Sequence, residues 1–288
     1  MDYYKNFDFK EAGKLIDLAL KEDIGKGDIT TELLISTHSN SKAEILVKEI
    51  GIIAGLKIFE LVFRIIDKKI RIKFTKDDGD NVRPGEIVGR LSGNTRNLLK
   101  GERLALNILQ RMSGIASATN YLVNKLNNKN VKIIDTRKTT PNLRVFEKQA
   151  VLIGGGENHR FGLYDMVLIK DNHIEANGGI NKTLDRITRL KKNIKVKIEI
   201  EVKDLEELSL IILKGRNIID RVMLDNFDIN NVKKAVKLNN GLFELEISGG
   251  INEKNISKYR KIRGIDYISA GSITHSVHSM DISLNFIP

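Results

Sequence analysis

The sequence predicts an α/β protein whose second half forms a parallel sheet, closed or nearly closed into a barrel. Two observations carry this. Apolar, β-rich runs end near Ile134, Ile169, Ile200, Leu224, Ile247 and Ala270, with helical patterns between most of them. Each run is followed by polar or small residues, as strand ends of parallel α/β proteins are where ligands bind. Six such units with no long edge-protecting insert favour a barrel. An open doubly wound sheet is the competing architecture.

The first half reads differently. Asp8 to Lys21 has a helical pattern, with Leu15, Ile16, Leu18, Ala19 and Leu20 on its apolar side. The stretch EDIGKGDITT, Glu22 to Thr31, supplies turn residues at Gly25, Gly27 and Asp28. Ser41–Lys48 and Ile70–Phe74 partly alternate, as half-buried strands do, and Gly55–Ile66 between them is helical in pattern. Asp77–Gly93, punctuated by glycine and one proline, suits short antiparallel strands joined by tight turns. Gly101–Leu126 reads as one long helical region. In the second half, Asp204 with Glu207 marks a helix start, and Asp228 is placed to cap Asn230–Leu238. Gly215, Gly241 and Gly264 sit where helices should stop.

Composition narrows the function classes. A chain of 288 residues with 41% hydrophobic content can bury a sizeable core in one large domain or two ordinary ones. With no cysteine, disulfide and thiolate chemistry are excluded. Net charge is +11, from 48 Lys+Arg against 37 Asp+Glu, but the lysines are scattered and form no basic run. Aromatics are only 6% with no tryptophan, so a base-stacking platform is poorly supplied and nucleic acid is not the expected partner. The start, MDYYKNFDFKEAGK, is acidic and amphipathic and does not read as a signal peptide. No apolar run approaches the roughly 20 residues that span a bilayer. The expectation is a cytoplasmic protein without a membrane partner, and small anionic ligands suit its charge.

The strand ends carry the candidate chemistry. After Ile134 come Asp135, Arg137 and Lys138; after Ile169, Lys170; after Ile200, Glu201; after Leu224, Asp225. After Ile247 come Ser248, Gly249 and Gly250, and after Ala270 come Gly271 and Ser272. The Gly/Ser turns offer backbone N–H groups to a phosphate without obstructing side chains. Glu201 and Asp225 can grip ribose hydroxyls or a hydrated divalent cation. Arg137, Lys138, Arg160 and Lys170 supply cations, the arginines for carboxylates and the lysines for phosphate charge. Arg144 and Lys148 add to this basic cluster. His159, between Asn158 and Arg160 and beyond the three glycines Gly154–Gly156, can donate or accept. Those glycines leave the backbone free to move or to approach a ligand closely. A phosphorylated sugar at one end and an acidic partner at the other describes a phosphoribosyl-transfer site.

The motifs closely resemble one family, quinolinate phosphoribosyltransferase, also called carboxylating nicotinate-nucleotide pyrophosphorylase. The resemblance runs from EDIGKGDITT to SAGSITHS through ERLALNILQRMSGIA, DTRKTTPNLR, GGGENHR, IKDNH, EIEV, MLDNF and ISGGI, in that order. Asn142 stands where the family commonly carries glycine, a turn change, and the spacer between Glu201 and Asp225 is slightly long. The resemblance implies a type II phosphoribosyltransferase fold: an N-terminal α/β sandwich over residues 1–112 and an incomplete parallel α/β barrel over 113–273, with the tail 274–288 returning to the sandwich. It implies a homodimer, or a larger assembly of dimers, with shared active sites. Arg103 would reach the neighbouring subunit's quinolinate, and Arg137, His159, Arg160 and Lys170 would line its carboxylates. Lys138 and Lys170 would face pyrophosphate, and Glu201 and Asp225 the ribose. Ser248, Gly249, Gly250, Gly271 and Ser272 would hold the 5-phosphate of phosphoribosyl pyrophosphate. Lys138, Lys170, Glu201 and Asp225 are the catalytic candidates. Mg²⁺ is the implied cofactor, carried mainly by substrate oxygens and water, with no protein ligand assigned. Rival readings keep the fold but change the substrate: the related molybdenum-transport-associated proteins, or nicotinate phosphoribosyltransferase. A further rival makes the chain a catalytically silent binding module. Arg103, Arg137 and Arg160 argue for a dicarboxylate, and Lys138, Lys170, Glu201 and Asp225 argue against silence.

Overall fold

A computed structural model describes residues 2–287. The chain divides into two compact units. The first comprises residues up to Asn120, Thr139–Gly155 and the tail from Ile273; the second comprises Tyr121–Lys138 and Gly156–Ser272. The family-based boundary at 112/113 therefore differs from this division, which also draws Thr139–Gly155 into the first unit.

Helix α1 (Phe9–Ile24) begins where the Asp8 carboxylate accepts the Glu11 N–H at 2.9 Å. Residues read from sequence as a turn then continue into α2 (Ile29–Leu34), because Asp28 caps it by accepting the Thr31 N–H at 3.0 Å. There follow β1 (Asn40–Val47), β2 (Gly51–Ile52), α3 (Leu56–Ile66), β3 (Arg71–Phe74), β4 (Asn81–Val82) and β5 (Ile87–Asn94). Strands β3, β5 and β1 pair antiparallel, and β12 (Ile282–Ile287) adds to the outer edge of β1, giving the order β12-β1-β5-β3. The tail therefore covers an edge that would otherwise present unpaired backbone groups. Ala43, Ile45 and Val47 of β1 alternate inward with Leu91 of β5, and in the same unit Phe59 and Phe63 of α3 are wholly buried.

Helix α4 (Thr95–Leu126) is continuous where the sequence predicts a helical region beginning at Gly101. The buried carboxylate of Glu147, in α5 (Arg144–Ile153), binds Arg111 of α4 at 2.9 Å and accepts the Thr140 N–H at 3.1 Å. Arg111 also donates to the carbonyls of Thr274 and Val277, so one guanidinium ties α4, α5 and the tail together.

The second unit holds six parallel strands: β6 (Lys132–Ile134), β7 (Val167–Ile169), β8 (Ile198–Val202), β9 (Arg221–Asp225), β10 (Glu244–Ser248) and β11 (Tyr267–Ser269). Their spatial order, β6-β11-β10-β9-β8-β7, follows the chain from β7 to β11 and then returns to β6. A doubly wound sheet reverses direction midway; this order does not, and it is that of a barrel left open between β6 and β7. Helices α6 (Asp171–Ala176), α7 (Ile180–Leu190), α8 (Leu205–Lys214) and α9 (Ile229–Asn239) join successive strands, and α10 (Ser272–His275) follows β11.

The predicted caps form. Asp204 accepts the N–H groups of Glu206 and Glu207 at the start of α8, and Asp228 accepts those of Asn230 and Asn231 at the start of α9. Gly215 closes α8 by donating to Ile211. In the turn between α8 and β9, Asn217 takes φ 64°. Between β10 and β11 the predicted helix is only a 3₁₀ turn, Ile256–Tyr259. There the Asn252 and Asn255 side chains both donate to the Gly250 carbonyl at 2.9 Å, competing with helical pairing.

One contact within the first unit is testable. A Cβ added to Gly114 of α4 would overlap the His278 carbonyl oxygen in the tail. Gly114→Ala should therefore push the tail off α4, with a loss of about 1–3 kcal/mol of stability. Thermal unfolding and protease sensitivity of the tail measure it, and an unchanged melting temperature with a protected tail would refute it.

Candidate active site

Strands β8, β9 and β10 decide the geometry. Glu199 lies opposite Arg221 and Glu201 opposite Met223, while Glu244, Glu246 and Ser248 lie opposite Arg221, Met223 and Asp225. Alternation therefore puts all of these on one face of the sheet. Along that face the strands carry a buried layer of Glu199, Arg221 and Glu246, and then, toward their carboxyl ends, a rim of Glu201, Asp225 and Ser248.

The other sequence-predicted residues of this unit follow the ends of the remaining strands, so parallel pairing brings them to the same end of the sheet. Asp135, Arg137 and Lys138 follow β6; Lys170 follows β7; Gly249 and Gly250 follow β10; Gly271 and Ser272 follow β11. Lys170 Nζ lies 3.5 Å from Glu201 Oε2. Burial raises the Glu201 pKa above the usual carboxylate range; Lys170 opposes this, while Asp225 and Asp171 reinforce it. Lys170, Glu201 and Asp225 thus form one electrostatic group. Arg137 and Lys138 are exposed on the loop after β6, where the Lys138 N–H is held by Thr136 Oγ1 at 3.0 Å. Burial and the neighbouring charge of Arg137 lower the Arg160 pKa, against Asp165 and Glu199. The two guanidiniums are thus near enough to repel, and Arg160 Nη1 donates to the Met166 carbonyl at 3.2 Å.

The Gly/Ser turns are shaped by packing. Asn226, at φ 55°, donates its backbone N–H to the Ser248 carbonyl at 2.9 Å and its side-chain amide to Asp225 at 2.7 Å. Gly249 takes φ 100°, and a Cβ there would overlap the Asn226 side chain. The MLDNF and ISGGI motifs are thus two halves of one contact. Ser272 donates its hydroxyl to the Ile251 carbonyl at 3.1 Å, joining the last two strand-end loops.

His159 is the residue whose placement differs most from its sequence reading. It is buried, and its backbone N–H donates to Asp135 at 2.9 Å. Its Nδ1 accepts the Arg160 N–H at 2.7 Å, which leaves the ring proton on Nε2. Nε2 faces Glu199 at 3.1 Å and Glu246 at 3.5 Å, in the buried layer. Asp135, read as a strand-end polar residue, is fully buried and acts as the anchor of this loop.

Other candidates belong to the first unit. Arg103 is exposed on α4. Lys148 is 1% exposed on α5, so it is no solvated charge, and Arg144 donates to Thr139 Oγ1 at 3.0 Å. Gly154 packs close on Ala116 and Thr119 of α4, which accounts for one of the three glycines without a ligand. Asn142 takes φ 64°, a conformation that asparagine tolerates best after glycine, so the departure from the family's glycine keeps the turn. A cleft of about 440 Å³ between the β8–α8 and β9–α9 loops is lined by Asp204 and Asp228. Both carboxylates already cap helix N-termini there, which disfavours an anion.

The sequence reading missed Glu199, Arg221 and Glu246. The signal lay in EIEV and ELEIS, where glutamates recur every second residue inside otherwise apolar runs.

Comparisons with known proteins agree over nearly the whole chain. The N-terminal domain of the quinolinate phosphoribosyl transferase family matches residues 28–113, and its C-terminal domain matches residues 115–285. A probable nicotinate-nucleotide pyrophosphorylase (carboxylating) of Bacillus subtilis is 42% identical over 272 residues, covering 94% of this chain and 92% of that protein. A mitochondrial quinolinate phosphoribosyltransferase (decarboxylating) of Nicotiana tabacum is 40% identical over 296 residues, covering 98% of this chain and 83% of that protein. The crystal structure of NadC from Streptococcus pyogenes superposes with a TM-score of 0.92 at 38% identity, covering 99% of this chain and 100% of that one. Human nicotinic acid phosphoribosyltransferase, at 9% identity and a TM-score of 0.63, shares the fold alone, covering 98% of this chain and 74% of that one. With both domains matched and its fold retained, this chain belongs to the quinolinate phosphoribosyl transferase family.

Proposed function

We propose that this chain transfers the phosphoribosyl group of phosphoribosyl pyrophosphate to quinolinate with decarboxylation, giving nicotinate mononucleotide, pyrophosphate and CO2 for NAD biosynthesis. Family membership supports the reaction. The observation that carries the assignment of roles is the gathering at one sheet end of Lys170 and Glu201, 3.5 Å apart, with Asp225, two Gly/Ser turns and the Arg137–Arg160 region.

In this reading the backbone of Ser248, Gly249, Gly250, Gly271 and Ser272 holds the 5-phosphate. Glu201 and Asp225 face the ribose, where positive charge builds at the anomeric carbon as pyrophosphate departs. Lys138 and Lys170 offset the charge gathering on that leaving group. Arg137, Arg160 and Lys170 hold the quinolinate carboxylates so that the ring nitrogen meets the anomeric carbon. The N–C bond forms as the C–O bond to pyrophosphate breaks. The ring nitrogen is then a permanent cation, and the adjacent carboxylate leaves as CO2. The electron pair left on the ring carbon is stabilised beside that cation and takes up a proton. Transfer therefore precedes decarboxylation.

Mg²⁺ is the proposed cofactor, and its chemistry would be to offset pyrophosphate charge. Among the described residues, the group able to gather three ligand atoms is His159, Glu199 and Glu246, which is buried and already faced by Arg221. Glu201 at the rim is paired with Lys170. The metal thus fits as an ion carried in on substrate oxygens and water.

The proposed assembly is a homodimer in which Arg103 reaches the neighbouring subunit's quinolinate. Its exposure on α4 supports this, as does the apolar face of α2, where Ile29, Leu33 and Leu34 are 75–79% exposed. The cytoplasm is the proposed compartment; among the described residues no helix is long and apolar enough to cross a membrane.

Assays of the purified protein should give nicotinate mononucleotide from quinolinate and not from nicotinate. CO2 should appear only when phosphoribosyl pyrophosphate is present, and release without it would overturn the order of steps. Arg137→Ala should raise KM for quinolinate by about 10–100-fold with little change for phosphoribosyl pyrophosphate; equal losses would remove its role. A mixture of Arg103→Ala and Lys138→Ala chains should regain part of the activity that each lacks alone. A mixture that stays inactive after confirmed subunit exchange would place each site within one chain.

A further inference from the structure

The layer beneath the rim is unusual in what it buries. Glu199 and Glu246 are fully buried, and Glu199 Oε1, Glu199 Oε2 and Glu246 Oε1 meet no hydrogen-bond donor in good geometry. A buried ionised carboxylate without donors is strongly disfavoured. Here two of them, on β8 and β10 on either side of β9, come within reach of one imidazole.

The groups facing this pair come from four elements. His159 and Arg160 stand on the loop before β7, Arg221 on β9, Glu244 on β10 and Ser269 on β11. Arg221 Nη1 lies 3.2 Å from Glu246 and 3.9 Å from Glu199, its Nε lies 3.3 Å from Glu244, and its guanidinium stacks 3.7 Å over the Tyr267 ring. One fixed cation therefore serves three carboxylates. A metal ion is not needed to explain the cluster, since Arg221 already supplies its positive charge. Lys197 Nζ, 3.0 Å from Glu244, offsets the charge of that third carboxylate; what remains on Glu199 and Glu246 beside Arg221 is one negative charge too many for the space, and a proton held between the two removes it.

This pair sits directly behind the anion-binding loop. Glu199 faces His159 Nε2, and the opposite ring nitrogen takes the Arg160 N–H. The chain of contacts runs Glu246, Glu199, His159, Arg160. We infer that Glu199 and Glu246 are positioning residues for quinolinate, holding His159 and through it Arg160 at the rim where the substrate's carboxylates bind. The inference rests on the assignment of Arg160 to quinolinate.

The pair has an electrostatic consequence too. With one shared proton, it opposes the rim cations with a single negative charge. Loss of that proton adds a second negative charge below Arg160 and weakens the field that attracts a dicarboxylate. Burial raises both carboxyls above their usual range, Glu246 further through the charge of Glu199. A raised carboxyl stabilises the fold below the unfolded pKa of about 4.3, and that contribution is lost as pH rises through the folded value. Stability and quinolinate affinity should therefore fall together as pH rises above the ordinary carboxylate range.

The test measures binding of quinolinate alone and of phosphoribosyl pyrophosphate alone by calorimetry, with melting temperature, from acidic to alkaline pH. Glu199→Ala should weaken quinolinate about tenfold or more while changing phosphoribosyl pyrophosphate less than about twofold. Glu199→Gln keeps the shape without a titrating proton, so it should bind quinolinate within about threefold of wild type and show a flatter pH dependence in both affinity and melting temperature. Equal weakening of both ligands by Glu199→Ala, or no weakening of quinolinate, would overturn the inference. If Glu199→Ala does not fold, Glu199→Gln decides alone, and pH curves parallel to wild type would overturn it. Arg160→Ala separates the two readings. If it weakens quinolinate and Glu199→Ala does not, only the positioning role fails; if Arg160→Ala has no effect, the assignment of Arg160 fails as well.

Discussion

Every second residue of β8, β9 and β10 points to the same side of the sheet, so whatever stands below the rim is coupled to whatever stands on it. Glu199 and Glu201 are two residues apart on β8; Glu246 and Ser248 are two apart on β10; Arg221, Met223 and Asp225 follow the same spacing on β9. The rim cannot be moved by one residue without turning these strands inside out, because Ile198, Ile200, Val222, Leu224, Leu245 and Ile247 occupy the opposite, fully buried side. Helix packing on one side and charge balance on the other therefore fix the height of Glu201 and Asp225 together. The rim carboxylates owe their place to apolar neighbours on the opposite side of the sheet.

The same economy appears in the loops. Asn226 bridges Asp225 and Ser248, and Gly249 exists in the form that leaves Asn226 room. Asp135 and His159 anchor the loop that presents Arg160, while Asn252 and Asn255 hold the Gly250 carbonyl. All but the Asn226–Asp225 bond involve a backbone atom, so they set loop shape without a ligand. In the first unit Arg111 and Glu147 play the comparable part for α4, α5 and the tail. A half-buried arginine shared among a buried carboxylate and two carbonyls satisfies groups that would be costly to leave unpaired.

Much of this was legible in residue order. The six strands, the caps Asp204 and Asp228, the stop at Gly215 and the residues after each strand all follow from local chemistry: alternation, side-chain capping and turn preference. Helix α2 was not, because Asp28 serves equally as a turn residue and as a cap, and only the Thr31 contact distinguishes them. Nor was the missing helix before β11, where Asn252 and Asn255 outbid the helical pattern with bonds to Gly250. The family resemblance implies that His159 lines the quinolinate carboxylates; its position in the buried layer, with the ring turned to Glu199, is a tertiary contact that residue order does not record.

By itself, then, the sequence determined which residues are candidates and that parallel strands would carry them to one end. It could do so because strand period, helix caps and turns depend on neighbours a few residues away. Only the tertiary structure decided that Glu199, Glu246 and Arg221 are buried beneath the rim and that His159 joins them. Whether an inward glutamate meets water, a ligand or another carboxylate depends on strands and loops distant in the chain, and no local pattern records their approach.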